Sequence, residues 1–238
     1  MKFAKMIFLG MLTLAVPFFT MSCSDDTTTP SPAAQANVMV VHASPNAPSV
    51  ILTIDGKDIN TAATAYPYLA NTSYLKVDAG SRNIQVLVAS NRGVAINAPG
   101  VALAANKNYT IFAVDSVSKI TPLVVEDDLT TPAAGKAHVR FLHLSPNAPA
   151  VDIVVANTTT KLFSNRSFNK TATADDAAFK PVDAGTYNLS VRLASNGQEV
   201  LPLNGINLQA GKIYTVYAHG FAGGTGDAAL NAKIITNN

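Results

Sequence analysis

Val38-Met-Val-Val-His-Ala-Ser-Pro-Asn-Ala-Pro48 and Val139-Arg-Phe-Leu-His-Leu-Ser-Pro-Asn-Ala-Pro149 are one pattern written twice, 101 residues apart. In the first copy Val38, Val40 and His42 alternate with Met39, Val41 and Ala43. In the second, Val139, Phe141 and His143 alternate with Arg140, Leu142 and Leu144. A period of two is that of a strand, and the set ending in the histidine is apolar until that residue, so it faces a core. Each strand then runs into a Ser-Pro-Asn-Ala-Pro turn. His42, Ser44 and Pro45, with His143, Ser145 and Pro146, read as a structural motif in which each histidine closes the core face and hydrogen-bonds its turn.

Further landmarks recur in the same order. Val77-Asp-Ala-Gly80 returns as Val182-Asp-Ala-Gly185, Ala89-Ser-Asn91 as Ala194-Ser-Asn196, and Lys107-x-Tyr-Thr110 as Lys212-x-Tyr-Thr215, each 105 residues later. A four-residue insertion between the first landmark and the second accounts for the change of spacing. An internal repeat of this length points to two copies of one structural unit. Apolar alternation recurs at Val50, Leu52 and Ile54 and at Val151, Ile153 and Val155, and turn signals such as Asp55-Gly56 and Asn196-Gly197 lie between the strands. No capped stretch of helical period follows residue 23. The expected fold is therefore all-β, with two tandem immunoglobulin-like β-sandwich domains at residues 37–127 and 136–238 and a linker at 128–135. Asp183-Ala-Gly-Thr-Tyr187 resembles a tyrosine corner, with Arg82 at the matching place in the first repeat.

Both repeats resemble the domain-of-unknown-function family 4397. The resemblance rests on His42 to Pro48, on His143 to Val151 with Asp152, and on the later strands at Tyr109-Thr110 and Gly211 to Thr215. Ile51 and Asn106 depart from the family pattern in the first repeat. The resemblance implies a secreted or cell-surface setting and carries no established activity.

The chain opens with Lys2 and Lys5 and a mostly apolar run from Met6 to Met21, and Ser22 and Cys23 follow. This reads as a signal peptide over residues 1–22, too short for the roughly 20 apolar residues of a membrane span. Cys23 is the chain's single cysteine, and its setting resembles the lipobox of bacterial lipoproteins. Residues 23–36 read as an acidic and Pro/Thr-rich linker. Acylated Cys23 would then be the membrane anchor. Ser24-Asp25-Asp26 resembles the signal that places lipoproteins on the outer face of a Gram-negative outer membrane.

Charge narrows the function classes. Charged residues are 13% of the chain, about half the usual share. Of 17 basic residues two lie in the leader, leaving 15 to face 15 acids. No basic run remains to neutralise a phosphate backbone, which argues against a nucleic-acid partner. The four histidines lack metal-ligand spacing, and Glu126-Asp-Asp128 supplies too few oxygens for calcium, so no metal or cofactor is expected. Gly220 to Gly226 reads as a hairpin loop rather than a phosphate cradle. The expected function is a non-catalytic binding or adhesion module that takes a glycan or an envelope protein, and not an enzyme. A structural spacer is the alternative, and an unrecognised hydrolase the remote one. Tyr66, Tyr68 and Tyr74, clustered in one repeat only, are the expected partner contacts.

Overall fold

The computed structural model describes residues 33–238. The leader, Cys23 and the linker up to residue 32 lie outside the described residues. The described chain is all-β, apart from one helical turn and short 3-10 segments.

The first half contains β1 (Gln35–His42), β2 (Val50–Ile54), β3 (Lys57–Asp58), β4 (Leu75–Asp78), β5 (Gly80–Val88), β6 (Val94–Leu103), β7 (Asn108–Val114) and β8 (Thr121–Asp127). They form two sheets, ordered β4-β1-β7-β8 and β3-β2-β5-β6. The second half contains β9 (Lys136–His143), β10 (Val151–Val155), β11 (Lys161–Arg166), β12 (Lys180–Asp183), β13 (Gly185–Leu193), β14 (Glu199–Leu208), β15 (Ile213–His219) and β16 (Asn231–Thr236). Its sheets run β12-β9-β15-β16 and β11-β10-β13-β14, the same order again. In each half the first strand pairs in parallel with the seventh, β1 with β7 and β9 with β15. The other ladders are antiparallel.

Each half encloses its own core. Val38, Val40, Leu52, Ile84 and Ile111 pack between the first two sheets. Val139, Phe141, Ile153, Leu189 and Val216 pack between the second two. A third cluster lies between the halves. Met39 and Val41 of β1, Phe112 and Val114 of β7, and Leu123 of β8 meet Leu142 of β9, Tyr217 of β15 and Ile235 of β16. Two sheets are thus buried on both faces, and the order of layers is outer, inner, inner, outer. The segment from 128 to 135 joins two sandwiches that share a buried interface. Strands buried on both faces read as continuous apolar runs rather than alternating ones. Met39-Val-Val41 and Phe141-Leu142 are such runs.

Local chemistry explains the turns. Tyr187 donates its hydroxyl to the Asp183 carbonyl at 2.8 Å, which closes the corner the sequence suggests. Arg82 takes that place in the first half, donating to the Ala79 carbonyl at 2.6 Å and pairing with Asp55. The single turn α1 (Ala174–Ala177) is held by a capping box, Thr173 with Asp176.

Candidate functional site

The repeated motif ties each strand end to its surroundings. His42 Nε2 lies 3.1 Å from the Pro48 carbonyl, and His143 Nε2 lies 3.1 Å from the Pro149 carbonyl. A carbonyl only accepts, so Nε2 carries the proton in both rings. Their Nδ1 atoms, with Ser44 Oγ and Ser145 Oγ, are buried without partners. Burial holds both imidazoles below the ordinary histidine range, against the weaker opposing pull of the prolyl carbonyl. Asp152 does not orient His143; it pairs with Lys161 at 2.6 Å and accepts from the Asn165 amide. The asparagine of the motif has a role the repeat alone did not disclose. Asn46 Oδ1 accepts from the Val117 amide at 2.9 Å, and Asn147 clamps both backbone groups of Ala222 at 2.8 and 3.1 Å.

The three tyrosines do not share one patch. Tyr66 bridges backbone to Val50 and packs on the first core. Tyr68 reaches the other half, where its hydroxyl lies 3.0 Å from His219 Nδ1. Its ring stands edge-on to both His42 and His219, with centroids 6.0 and 5.8 Å away. Tyr74 donates to Asp127 Oδ2 at 2.7 Å and accepts from Asn237 at 3.1 Å. Two of the three hydroxyls therefore serve the junction between the halves.

The junction also contains a charge pair. The side chains of Arg140 and Asp127 are fully buried, with Nη2 and Oδ1 2.6 Å apart in an ion contact poorly aligned for a hydrogen bond. Thr110 donates to Asp127 at 2.6 Å, and Arg140 Nε donates to Thr215 at 2.9 Å. The guanidinium stacks 4.5 Å from the Phe179 ring centroid. Arg140 belongs to the face of β9 opposite its histidine. An arginine among Leu142 and Leu144 is the sequence signal that this second face also has a partner.

A cleft opens beside the junction, lined by Leu69 of the first half and by His219, Asp227, Asn231 and Lys233 of the second, with a volume of about 320 Å³. Lys233 crosses the halves and donates to the Leu69 carbonyl at 2.7 Å. Burial, helped by the Lys233 charge, pushes His219 down to about 4, so the ring is neutral at pH 7. Burial pushes Tyr68 up to about 12. Asp227 makes no ion pair among the described residues.

The loop that walls the cleft is tighter than its glycines suggest. A Cβ at Gly220 would lie 2.1 Å from the Ala229 carbonyl oxygen, and one at Gly224 would lie 2.3 Å from that of Ala228. These glycines allow close backbone approach, so the segment is a packed loop and not a plain hairpin tip. At the opposite end a shallow hollow of about 620 Å³ includes the acidic cluster. There Glu126 pairs with Lys107, Asp127 with Arg140, and Asp128 accepts from Thr130. Among the described residues no group of three or more His, Cys, Asp or Glu side chains could hold a metal.

These features define the class: an all-β protein of two β-sandwiches joined through their inner sheets. The chain belongs to the family described as Domain of unknown function (DUF4397), whose pattern matches residues 36–154. That span covers the first half and continues into β10. No curated protein matches the chain. Among nine solved chains that match, the Bacillus anthracis TIE protein is 10% identical, with a TM-score of 0.23, over 83% of this chain and 34% of that one. This chain spans about a third of that one's length, and a likeness so distant carries no argument.

Proposed function

We propose that this protein is a lipid-anchored, non-catalytic binding module on the surface of a Gram-negative bacterium, and that both halves are copies of the family's domain. The junction cleft is the observation that supports binding. A carboxylate, an amide, an ammonium and an imidazole converge there on an open hollow of mixed polar and apolar lining, built from both halves. Junctions between domains are common ligand sites. A mixed set of donors and acceptors without strong net charge suits a hydroxyl-rich ligand, so a glycan is the proposed partner. The non-catalytic reading is supported by the histidines. Of the four, two are tied to prolyl carbonyls and one to a tyrosine, and no Ser or Thr hydroxyl among the described residues is hydrogen-bonded to a histidine ring. The lipid anchor is supported by the leader and Cys23 in the sequence.

Two measurements test this. Asp227→Ala and Asn231→Ala should lower glycan binding on an array of envelope polysaccharides while leaving the melting temperature unchanged; unaltered binding rejects the cleft. Cys23→Ala should release the protein from washed membranes, and retention after a high-salt wash rejects the anchor.

A further inference from the structure

We propose that the second half contains a binding site for one branched aliphatic group, about the size of a leucine or isoleucine side chain. The site is a pocket of about 70 Å³ on the far side of the loop that walls the cleft. Ala218 and His219 are consecutive on β15 and so face opposite ways, Ala218 into this pocket and His219 into the cleft. The pocket is therefore separate from the cleft, and either reading can fail alone.

The lining chooses hydrocarbon. Val151, Val191 and Ala218 are buried at its inner end, and Val200, 37% exposed, stands at its rim with Leu230. His143 is the sole polar side chain of the lining, and the Pro149 carbonyl already holds its Nε2. Its Nδ1, buried without a partner, is the one side-chain acceptor left among a lining that is otherwise hydrocarbon.

The first half fills the corresponding place from within. Its cavity at the equivalent His42, Val50, Val86 and Ala113 is only about 10 Å³, and Tyr66 is part of its lining. Tyr66 pairs with Val50 as Arg166 pairs with Val151. Arg166 turns to Asp175 and Asp176, its guanidinium 5.5 Å from the Phe163 ring centroid and outside the lining of the pocket. The loop differs too: Asn147 holds Ala222, which lines the pocket, whereas Asn46 holds Val117, which is 40% exposed and does not line the first half's cavity. Tyr66 lines the first half's cavity and Arg166 does not line the second's, so side-chain volume is withdrawn from the histidine end of the second core. An unfilled apolar pocket forfeits packing attraction on every wall.

Size chooses the occupant. One water needs roughly 10–15 Å³ of such volume, so a pocket of about 70 Å³ takes roughly five heavy atoms. That is the end of one branched side chain, and it is too small for a lipid acyl chain.

The test is saturation-transfer NMR on the full chain, with isovaleramide as the probe and acetamide as the control. The expected result is a saturable signal on the isopropyl methyls, none on acetamide, and binding about tenfold weaker in Ala222→Leu. Val200→Asp at the exposed rim gives a second variant should the first fail to fold. N-acetyl-Ala-Leu-Ala-amide distinguishes the sources: tighter binding than isovaleramide identifies a partner polypeptide, and equal binding a free small molecule. No saturable signal, a signal unaltered in both variants, or stronger binding of n-dodecanamide overturns the proposal.

Discussion

At the residue scale, Arg140 and Asp127 carry the largest risk to stability. Two charges out of water cost several kcal/mol each, offset by their mutual attraction, by Thr110, Thr215 and Tyr74, by the Glu126 carbonyl and by the Phe179 ring. Removing one partner leaves the other charge buried alone. Asp127→Ala is expected to cost about 3–5 kcal/mol in urea unfolding. Asp127→Ala with Arg140→Met should cost less than the single change, a non-additivity that only a direct pair produces. Equal or greater loss in the double variant would show that the two charges act separately. The histidines give a pH dependence whose sign follows from burial. His219 titrates near 4 in the folded chain against 6.5 as an ordinary residue, and His42 and His143 are lowered too. The unfolded chain therefore takes up protons first. Stability is full above pH 6.5 and falls toward pH 4, with about 3 kcal/mol from His219. Urea midpoints measured across that window should decline steadily in the native chain and less in His219→Gln.

At the scale of elements, the loop from Gly220 to Leu230 separates two kinds of glycine. Gly220 and Gly223 both have positive φ, +80° and +78°, but only Gly220 has backbone within 4 Å of a Cβ position. Gly223→Ala should cost about 1–2 kcal/mol, the price of a left-handed L-residue. Gly220→Ala should cost clearly more, because the Ala229 carbonyl must also move. Thermal unfolding of the two variants checks this, and equal losses would mean that the loop is loosely packed. The outer strands β6 and β14 illustrate the opposite need. Each is an edge, and Pro99 and Pro202 interrupt the pairing capacity that an open edge presents.

At the scale of the whole molecule, the two sandwiches are held together by more than their connection. Cleavage between 128 and 135 should leave the fragments associated on size exclusion, because the third apolar cluster, the Arg140–Asp127 pair and the Tyr68–His219 contact all cross the cut. A fragment ending at Asp127 should aggregate, since Met39, Val41, Phe112 and Leu123 would face water. Separation of two soluble, folded fragments under native conditions would contradict this interface.

The sequence by itself determined the strands, the turns and the repeated order, because a period of two and glycine- or asparagine-bearing turns are local properties. It also marked the histidine motif, because the same seven-residue pattern occurs twice. Local pattern could not place the second apolar face of β1 and β9. Met39, Val41, Leu142 and Leu144 declare that something covers them, and Arg140 that its partner is charged, but not which surface does so. Only the tertiary structure brought Tyr68 to His219 across 151 residues and Tyr74 to Asp127 across 53. It gave the hydroxyls of Tyr68 and Tyr74, two of the three tyrosines clustered in one repeat, partners within the molecule. The reason is physical: periodicity reports that a face is buried, whereas the identity of the surface that buries it depends on the shape and charge of both, which meet only after folding.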